Sequence, residues 1–303
     1  MRYLSDATQP TSGAEQTYFV RSYAKINLTL DVLGKRSDGY HDLITIMQTV
    51  DLYDTICLTA SKDSSVRMIC TQSELSNDNN LAARAAQAIR QRLNLTQGVD
   101  IELHKRIPVA AGLGGGSGNE AAVLLAMRDW WQLPLSIDDL QTMAANLGSD
   151  VPFFLTGGLA LCEGRGERIT PLAYRLPSSM RWIILVKPAI SVSTPIVFRN
   201  LTAQDYSDGS ASRSVLAALT EGHNQPPLED FHNSLERSVL QQYPQVAQAR
   251  EDMLHVGAPY VQLSGSGPTL FSTFSNLSQA AQVQQQLHAQ GYEVYLTRAI
   301  PPV

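Results

Sequence analysis

Three cysteines in 303 residues, none in a Cys-x-x-Cys pair, leave nothing from which to build a disulfide scaffold or a zinc site. They point instead to a reducing compartment. The six histidines show no metal-ligand spacing. Basic charge is not in excess: the net charge is −5, whereas a duplex-binding domain carries the opposite balance, so nucleic acid is not expected as a partner. No apolar run approaches a membrane span, and Trp182 to Val186 reads as a short buried strand. The N-terminus is polar through Gln16 and lacks the apolar core of a signal peptide. A cytoplasmic protein with no membrane partner is the expectation. Hydrophobic residues at 44% and charged ones at 17% describe a globular chain, and its length allows two domains of ordinary size.

The stretch Pro108-Val109-Ala110-Ala111-Gly112-Leu113-Gly114-Gly115-Gly116-Ser117-Gly118-Asn119-Glu120 packs glycines ahead of a helical run, Ala121 to Met127. A helix start carries free N–H groups and partial positive charge, and glycines let the backbone curl around an anion there. Two common labels fail. A Walker loop ends in Gly-Lys-Ser/Thr and no lysine is present; the dinucleotide pattern needs glycine where Ser117 stands. Ser117 and Glu120 fit the spacing of a capping box.

Ile26, Leu28, Leu30 and Val32 alternate with Lys25, Asn27, Thr29 and Asp31, the period of a half-buried strand. A turn at Gly34 to Gly39 precedes a strand from Leu43 to Val50, with further strands at Ile56 to Ala60 and Val66 to Cys70. Leu81 to Leu93 reads as helix, and Val99, Ile101 and Leu103 as the strand before the glycine loop. Early strands followed by strand–loop–helix suggest α+β rather than a doubly wound parallel sheet. Ser136 to Asp139 caps a helix closed by Gly148. Arg175 to Met180 looks like a domain boundary, and Asp205 to Pro227 like a mobile surface excursion. A helix from Asn233 to Leu254, strands at Tyr260 to Ser264 and Leu270 to Phe274, a helix, and a strand at Glu293 to Thr297 complete the chain.

Three other segments carry polar groups suited to chemistry. Lys25 and Asn27 share one strand face, although a lone lysine there is more often solvated. Asp150 follows Gly148-Ser149 and precedes Val-Pro-Phe-Phe, where its ordinary role is to cap the next helix. Ser264-Gly265-Ser266-Gly267-Pro268-Thr269 is either a hairpin turn or a second anion nest.

Taken together and in this order, Ala24-Lys25-Ile26-Asn27, Pro108 to Glu120, Gly148 to Phe153 and Leu263 to Thr269 resemble the GHMP kinase superfamily, from about Tyr23 to Thr297. Ala-Lys-Ile-Asn-Leu, Asp38-Gly39-Tyr40-His41 and Gly-Ser-Asp-Val-Pro-Phe-Phe narrow the resemblance to its branch acting on a cytidine-diphosphate-linked erythritol in isoprenoid precursor synthesis. The resemblance implies an α+β, two-domain GHMP kinase fold: an N-terminal ATP-binding domain like ribosomal protein S5 domain 2 over 18–176, and a ferredoxin-like domain over 177–303. Residues 1–17 have no assigned counterpart and are expected to be disordered.

The implied activity is ATP-dependent phosphorylation of an alcohol, with Mg²⁺. Asp150 matches the family's general base and Lys25 its charge partner. Pro108 to Gly118 match the phosphate loop. Asn27 orients the acceptor, Tyr40, His41 and Phe198 match groups on a cytosine ring, and Thr194 and Gly265 lie near the remainder of that substrate. A monomer or homodimer is expected. The competing readings are another GHMP kinase (for homoserine, mevalonate or a sugar), an inactive relative that binds ligand, and a nicotinamide enzyme using the glycine loop.

Two residues depart from the family's Gly-Gly-Gly-Ser-Ser-Asn-Ala-Ala. Gly118 lacks a hydroxyl, which puts one phosphate or metal contact in doubt. Glu120 adds a charge, either as a helix cap turned away or as an outer contact to Mg²⁺.

Overall fold

A computed structural model describes residues 17–173, 176–221, 226 and 230–302. The elements in chain order are β1 (Thr17–Lys35), β2 (His41–Ala60), β3 (Val66–Cys70), α1 (Leu81–Leu93), β4 (Val99–His104), α2 (Gly115–Trp130), α3 (Ile137–Leu147), α4 (Val151–Thr156), β5 (Leu159–Gly164) and β6 (Arg168–Pro171). They continue with β7 (Trp182–Lys187), α5 (Thr194–Arg199), α6 (Ser210–Thr220), α7 (Glu236–Gln242), α8 (Pro244–His255), β8 (Gln262–Leu263), β9 (Leu270–Phe274), α9 (Leu277–Ala289) and β10 (Glu293–Thr297). Among the described residues no helix is long and apolar enough to cross a membrane.

Two sheets organise the chain. The first is six-stranded, in the order β3-β4-β2-β5-β6, with β1 antiparallel to β2 along nearly its whole length. The segments read as separate strands at Leu43–Val50 and Ile56–Ala60 are one continuous strand, whose far edge β5 and β4 share end to end. The second sheet runs β10-β7-β9-β8.

Helix α2 is buried from Gly118 to Met127, as its all-round apolar sequence requires, and packs with α1 and α4 over the first sheet. A separate apolar cluster joins Ile26, Leu28 and Ile46 of the first sheet to Ile183, Leu185 and Phe271 of the second, and to Val215 and Leu219 of α6. The two sheets therefore meet through a shared core, and the site lies along that seam.

Several expectations need correction. Strand β1 is buried on both faces from Ala24 to Val32. Its polar face does not meet solvent, because Ser212 of α6 covers it: the backbone N–H donates to Asp31 (2.8 Å) and the hydroxyl to Thr29 (2.7 Å). The described part of 205–227 is thus no loose excursion. Val215, Ala218 and Leu219 form a helical stripe that serine-rich surroundings disguise. The parts of that stretch at 222–225 and 227 lie outside the described residues, as do Arg175 of the boundary segment and residues 1–16. The expected helix from Asn233 to Leu254 is two helices, because Pro244 has no N–H to continue the first. The strand expected at Tyr260–Ser264 shrinks to Gln262–Leu263.

Candidate active site

Register shifts between Tyr23 and Ala24 and between Asn27 and Thr29 bracket the middle of β1, and such irregularities re-aim side chains. Lys25 and Asn27 stand in this bracketed stretch. The Lys25 ammonium donates to Asn27 Oδ1 (2.6 Å) and lies 3.5 Å from Asp150 Oδ2. Asn27 Nδ2 donates to Thr45 Oγ1 (2.8 Å), and that hydroxyl donates to the Thr29 carbonyl (2.5 Å). The relay fixes the amide so that its oxygen faces Lys25. With its side chain only 4% exposed, Lys25 needs such partners, since an unpaired buried ammonium is costly.

Asp150 stands at the start of α4 but makes no side-chain cap bond, so the helix-capping alternative does not apply. Its side chain is 34% exposed, which leaves the carboxylate open to a ligand on one side and in contact with Lys25 on the other.

The glycine loop closes over the same lysine: Lys25 N–H donates to the Leu113 carbonyl (3.0 Å). Helix α2 begins at Gly115, with Gly114 as its cap and the first helical bond running from Gly118 N–H to Gly114 O (2.8 Å). Ser117 and Glu120 therefore lie inside the helix, and the capping box does not form. The amides of Gly115, Gly116 and Ser117 precede that first bond. They make an uncapped helix start, which is an anion site by charge and by donor geometry.

Under this helix start sits a second buried ammonium. Lys105 Nζ pairs with Asp54 Oδ2 at 2.5 Å, and a Cβ placed on Gly115 would stand 3.2 Å from it. Asp54 also accepts from the backbone N–H groups of Arg106 (2.7 Å) and Ile107 (2.8 Å), which anchors the stem of the loop. Sequence reasoning missed this pair. Nothing local links two residues 51 positions apart.

The second glycine segment docks on the first. Ser264 Oγ donates to the Gly112 carbonyl (3.1 Å), and Thr269 N–H to that of Ala111 (3.3 Å). Gly265 comes so close to β1 that a Cβ would stand 3.1 Å from Lys25 Nζ and 3.3 Å from Asn27 Oδ1. Asn233, read in the sequence only as the start of a helix, holds this loop by donating to the carbonyls of Leu263 (2.9 Å) and Gly265 (2.8 Å). Thr194, at the start of α5, shares a 2.7 Å hydrogen bond with Ser266.

Aromatic rings gather beyond this point. His41 lies 5.4 Å from Phe198, centroid to centroid, and 6.0 Å from Tyr206, which meets it edge-on. Tyr206 had no distinguishing signal in the sequence. Burial, with Lys35 adding repulsion, holds the His41 imidazolium below its ordinary pKa, so at neutral pH the ring offers one donor and one acceptor. Tyr40 is 52% exposed and carries the Arg165 guanidinium over its face at 4.8 Å. Lys25, Asn27, Asp150, Gly265, Thr194, His41 and Phe198 are thus parts of one connected seam.

The two departures in the loop have structural explanations. A Cβ on Gly118 would meet Ser22 Oγ at 2.8 Å and the Tyr23 carbonyl at 3.0 Å, so this position lies tight against β1 and a side chain there requires Ser22 to shift. Glu120 is 1% exposed, its Oε1 has no hydrogen-bond partner, and burial pushes its pKa up from 4.5 to about 7, opposed by Arg84. A buried glutamate behind the loop is neither a cap nor an open metal contact.

Because the folded state keeps the Glu120 proton after the unfolded chain has released it, stability falls as pH rises from about 4.5 to about 7 and stays low above. Glu120→Gln is therefore expected to gain up to about 3 kcal/mol over the parent at pH 8, and little at pH 5. Urea unfolding at both pH values checks this; a gap that does not change with pH contradicts it.

Comparison with known proteins identifies the family. Residues 80–158 match the GHMP kinases N terminal domain and residues 213–293 the GHMP kinases C terminal domain. The chain is 42% identical over 270 residues to the 4-diphosphocytidyl-2-C-methyl-D-erythritol kinase of Alkaliphilus metalliredigens, covering 88% of this chain and 91% of that one. It is 40% identical over 284 residues to the enzyme of the same name from Shouchella clausii, covering 93% and 94%. A crystal structure of 4-(cytidine 5'-diphospho)-2C-methyl-D-erythritol kinase superposes with a TM-score of 0.77 at 32% identity, over 93% of this chain and 98% of that one. Homoserine kinase from Cytophaga hutchinsonii, at 18% identity and a TM-score of 0.75 over 97% and 99% of the two chains, shares the fold. The chain is a GHMP kinase, an ATP-dependent small-molecule kinase, and belongs to the 4-diphosphocytidyl-2-C-methyl-D-erythritol kinase family.

Proposed function

We propose that this kinase transfers the γ-phosphoryl group of ATP to the 2-hydroxyl of 4-diphosphocytidyl-2-C-methyl-D-erythritol, with Asp150 accepting the hydroxyl proton. The observation that carries this reading is the convergence of Lys25 with Asp150 (3.5 Å), Asn27 (2.6 Å) and the two glycine loops. Phosphoryl transfer asks a protein for positioning and charge neutralisation more than for covalent chemistry. The uncapped start of α2 receives the phosphates. Asp150 removes a proton as the acceptor oxygen attacks phosphorus and ADP leaves. Lys25, 3.5 Å from that carboxylate, offsets charge on the transferring group.

The seam also fits the acceptor. Neutral His41 suits the donor and acceptor edge of cytosine, and Phe198 and Tyr40 offer faces on which the ring stacks. Mg²⁺ is read as the companion of ATP. Such an ion takes most of its ligands from phosphates and water and asks few of the protein. Ser117, on the loop, would offer a hydroxyl to such an ion, which would supply charge neutralisation to the phosphates. A protein consuming ATP and carrying free Cys57, Cys70 and Cys162 fits the cytoplasm.

Acceptor competition tests this reading. With ATP and Mg²⁺, kcat/KM for the cytidine-diphospho-methylerythritol should exceed that for homoserine or mevalonate by at least about 10⁴-fold, since buried polar readout groups reject ligands that leave them unpaired. Comparable turnover of homoserine or mevalonate would overturn the assignment.

A further inference from the structure

The hairpin turn between β5 and β6, Gly164-Arg165-Gly166-Glu167, links the two ends of the acceptor seam. At one end, a Cβ on Gly166 would stand 3.8 Å from Asp150 Oδ1. At the other, the Arg165 guanidinium covers the Tyr40 ring at 4.8 Å. Glu167 shapes the turn by accepting from Arg165 N–H (2.6 Å), and Gly164 lies against the same carboxylate.

The guanidinium itself is lightly committed. Its ion pair with Glu167 spans 3.7 Å, too long for a hydrogen bond, and its side chain is 27% exposed. Asp38 is close enough to feel its charge, but that carboxylate is already engaged by Arg36 (3.1 Å) and by Tyr40 N–H (3.0 Å). Arg165 therefore presents a fork of donors, with its charge incompletely neutralised, between the proton acceptor and the aromatic turn.

A ligand with its reacting hydroxyl at Asp150 and its nucleobase at Tyr40 and His41 must run past this turn, and in such a ligand a diphosphate joins the two ends. We propose that Arg165 grips that diphosphate and sets the preference for a nucleoside diphosphate over the bare nucleoside. The planar guanidinium pairs with phosphate through two parallel hydrogen bonds while its face stays stacked on Tyr40. This inference rests on the acceptor assignment above, and the test is chosen so that the two can fail separately.

Calorimetric titration of the full-length protein with cytidine and with cytidine 5'-diphosphate, in the absence of ATP, provides that test. The parent protein should bind the diphosphate at least about tenfold more tightly than cytidine. Arg165→Gln should weaken diphosphate binding by about 10- to 100-fold and leave cytidine binding nearly unchanged, while Arg165→Lys recovers part of the loss. An unchanged diphosphate-to-cytidine ratio in Arg165→Gln overturns the proposal, as does an equal weakening of both ligands, which would reduce the arginine to a prop for Tyr40. If the parent binds neither ligand, the pocket assignment fails and the proposal falls with it.

Discussion

Asp150→Asn is expected to lower kcat by about 10²- to 10⁴-fold, the usual worth of a general base, and to leave the dissociation constant for ATP unchanged. Asparagine preserves shape but cannot accept the hydroxyl proton. Folding should tolerate the change, because the carboxylate caps no helix and is 34% exposed. Lys25 keeps its 2.6 Å bond to Asn27, so the buried ammonium is not left without a partner. Single-turnover kinetics paired with ATP titration separates the two effects. A variant with kcat within about tenfold of the parent would remove both the basicity and the charge of Asp150 from the reaction.

Gly112→Ala is expected to lower kcat/KM by about 10²-fold or more, the scale on which a displacement of about 1 Å acts in a positioned site. Gly112 has φ +75°, a left-handed conformation that costs an alanine about 1–2 kcal/mol. Space is the larger obstacle: the new Cβ would fall 2.1 Å from the Ser264 carbonyl oxygen and 2.9 Å from Gly267 N. Both are backbone atoms of the second glycine loop and cannot swing aside, so the loops must part. Parting them loosens the phosphate cradle and draws Gly265 away from Lys25 and Asn27. Affinity for ATP and for the acceptor should fall together. A variant that weakens one ligand and spares the other would show that the loops act independently.

Much of this site was legible from residue order. Lys25 with Asn27, the glycine loop, Asp150 and Ser264–Thr269 were read as separate polar segments, and the structure gathers them around one lysine, the glycine loop at its backbone and stem and the others at its ammonium. The strongly periodic helix Leu81–Leu93 has the predicted bounds because its pattern is set by burial on a single face, and Glu293–Thr297 also has the predicted bounds. What stayed hidden is non-local. The Asp54–Lys105 pair, the Asn233 clasp on the second loop and the burial of Asp31 under Ser212 all join residues distant in sequence.

The start of α2 was misplaced for a different reason. Side-chain patterns led to Ser117 as the cap, whereas the helix begins under Gly114, which has no side chain to cap it. Leaving those amides unspent suits a helix end that receives a ligand. Glu120 resisted interpretation because it is a buried carboxylate with an unpartnered oxygen, an arrangement that patterning treats as a surface charge.

Phosphorus-31 and carbon-13 NMR of the product formed from ATP, Mg²⁺ and 4-diphosphocytidyl-2-C-methyl-D-erythritol tests the central claim most directly. The account predicts a single new monophosphate ester, coupled to C2 of the erythritol unit and formed in step with ADP. ADP formed without an ester, or an ester on any other hydroxyl, would contradict it.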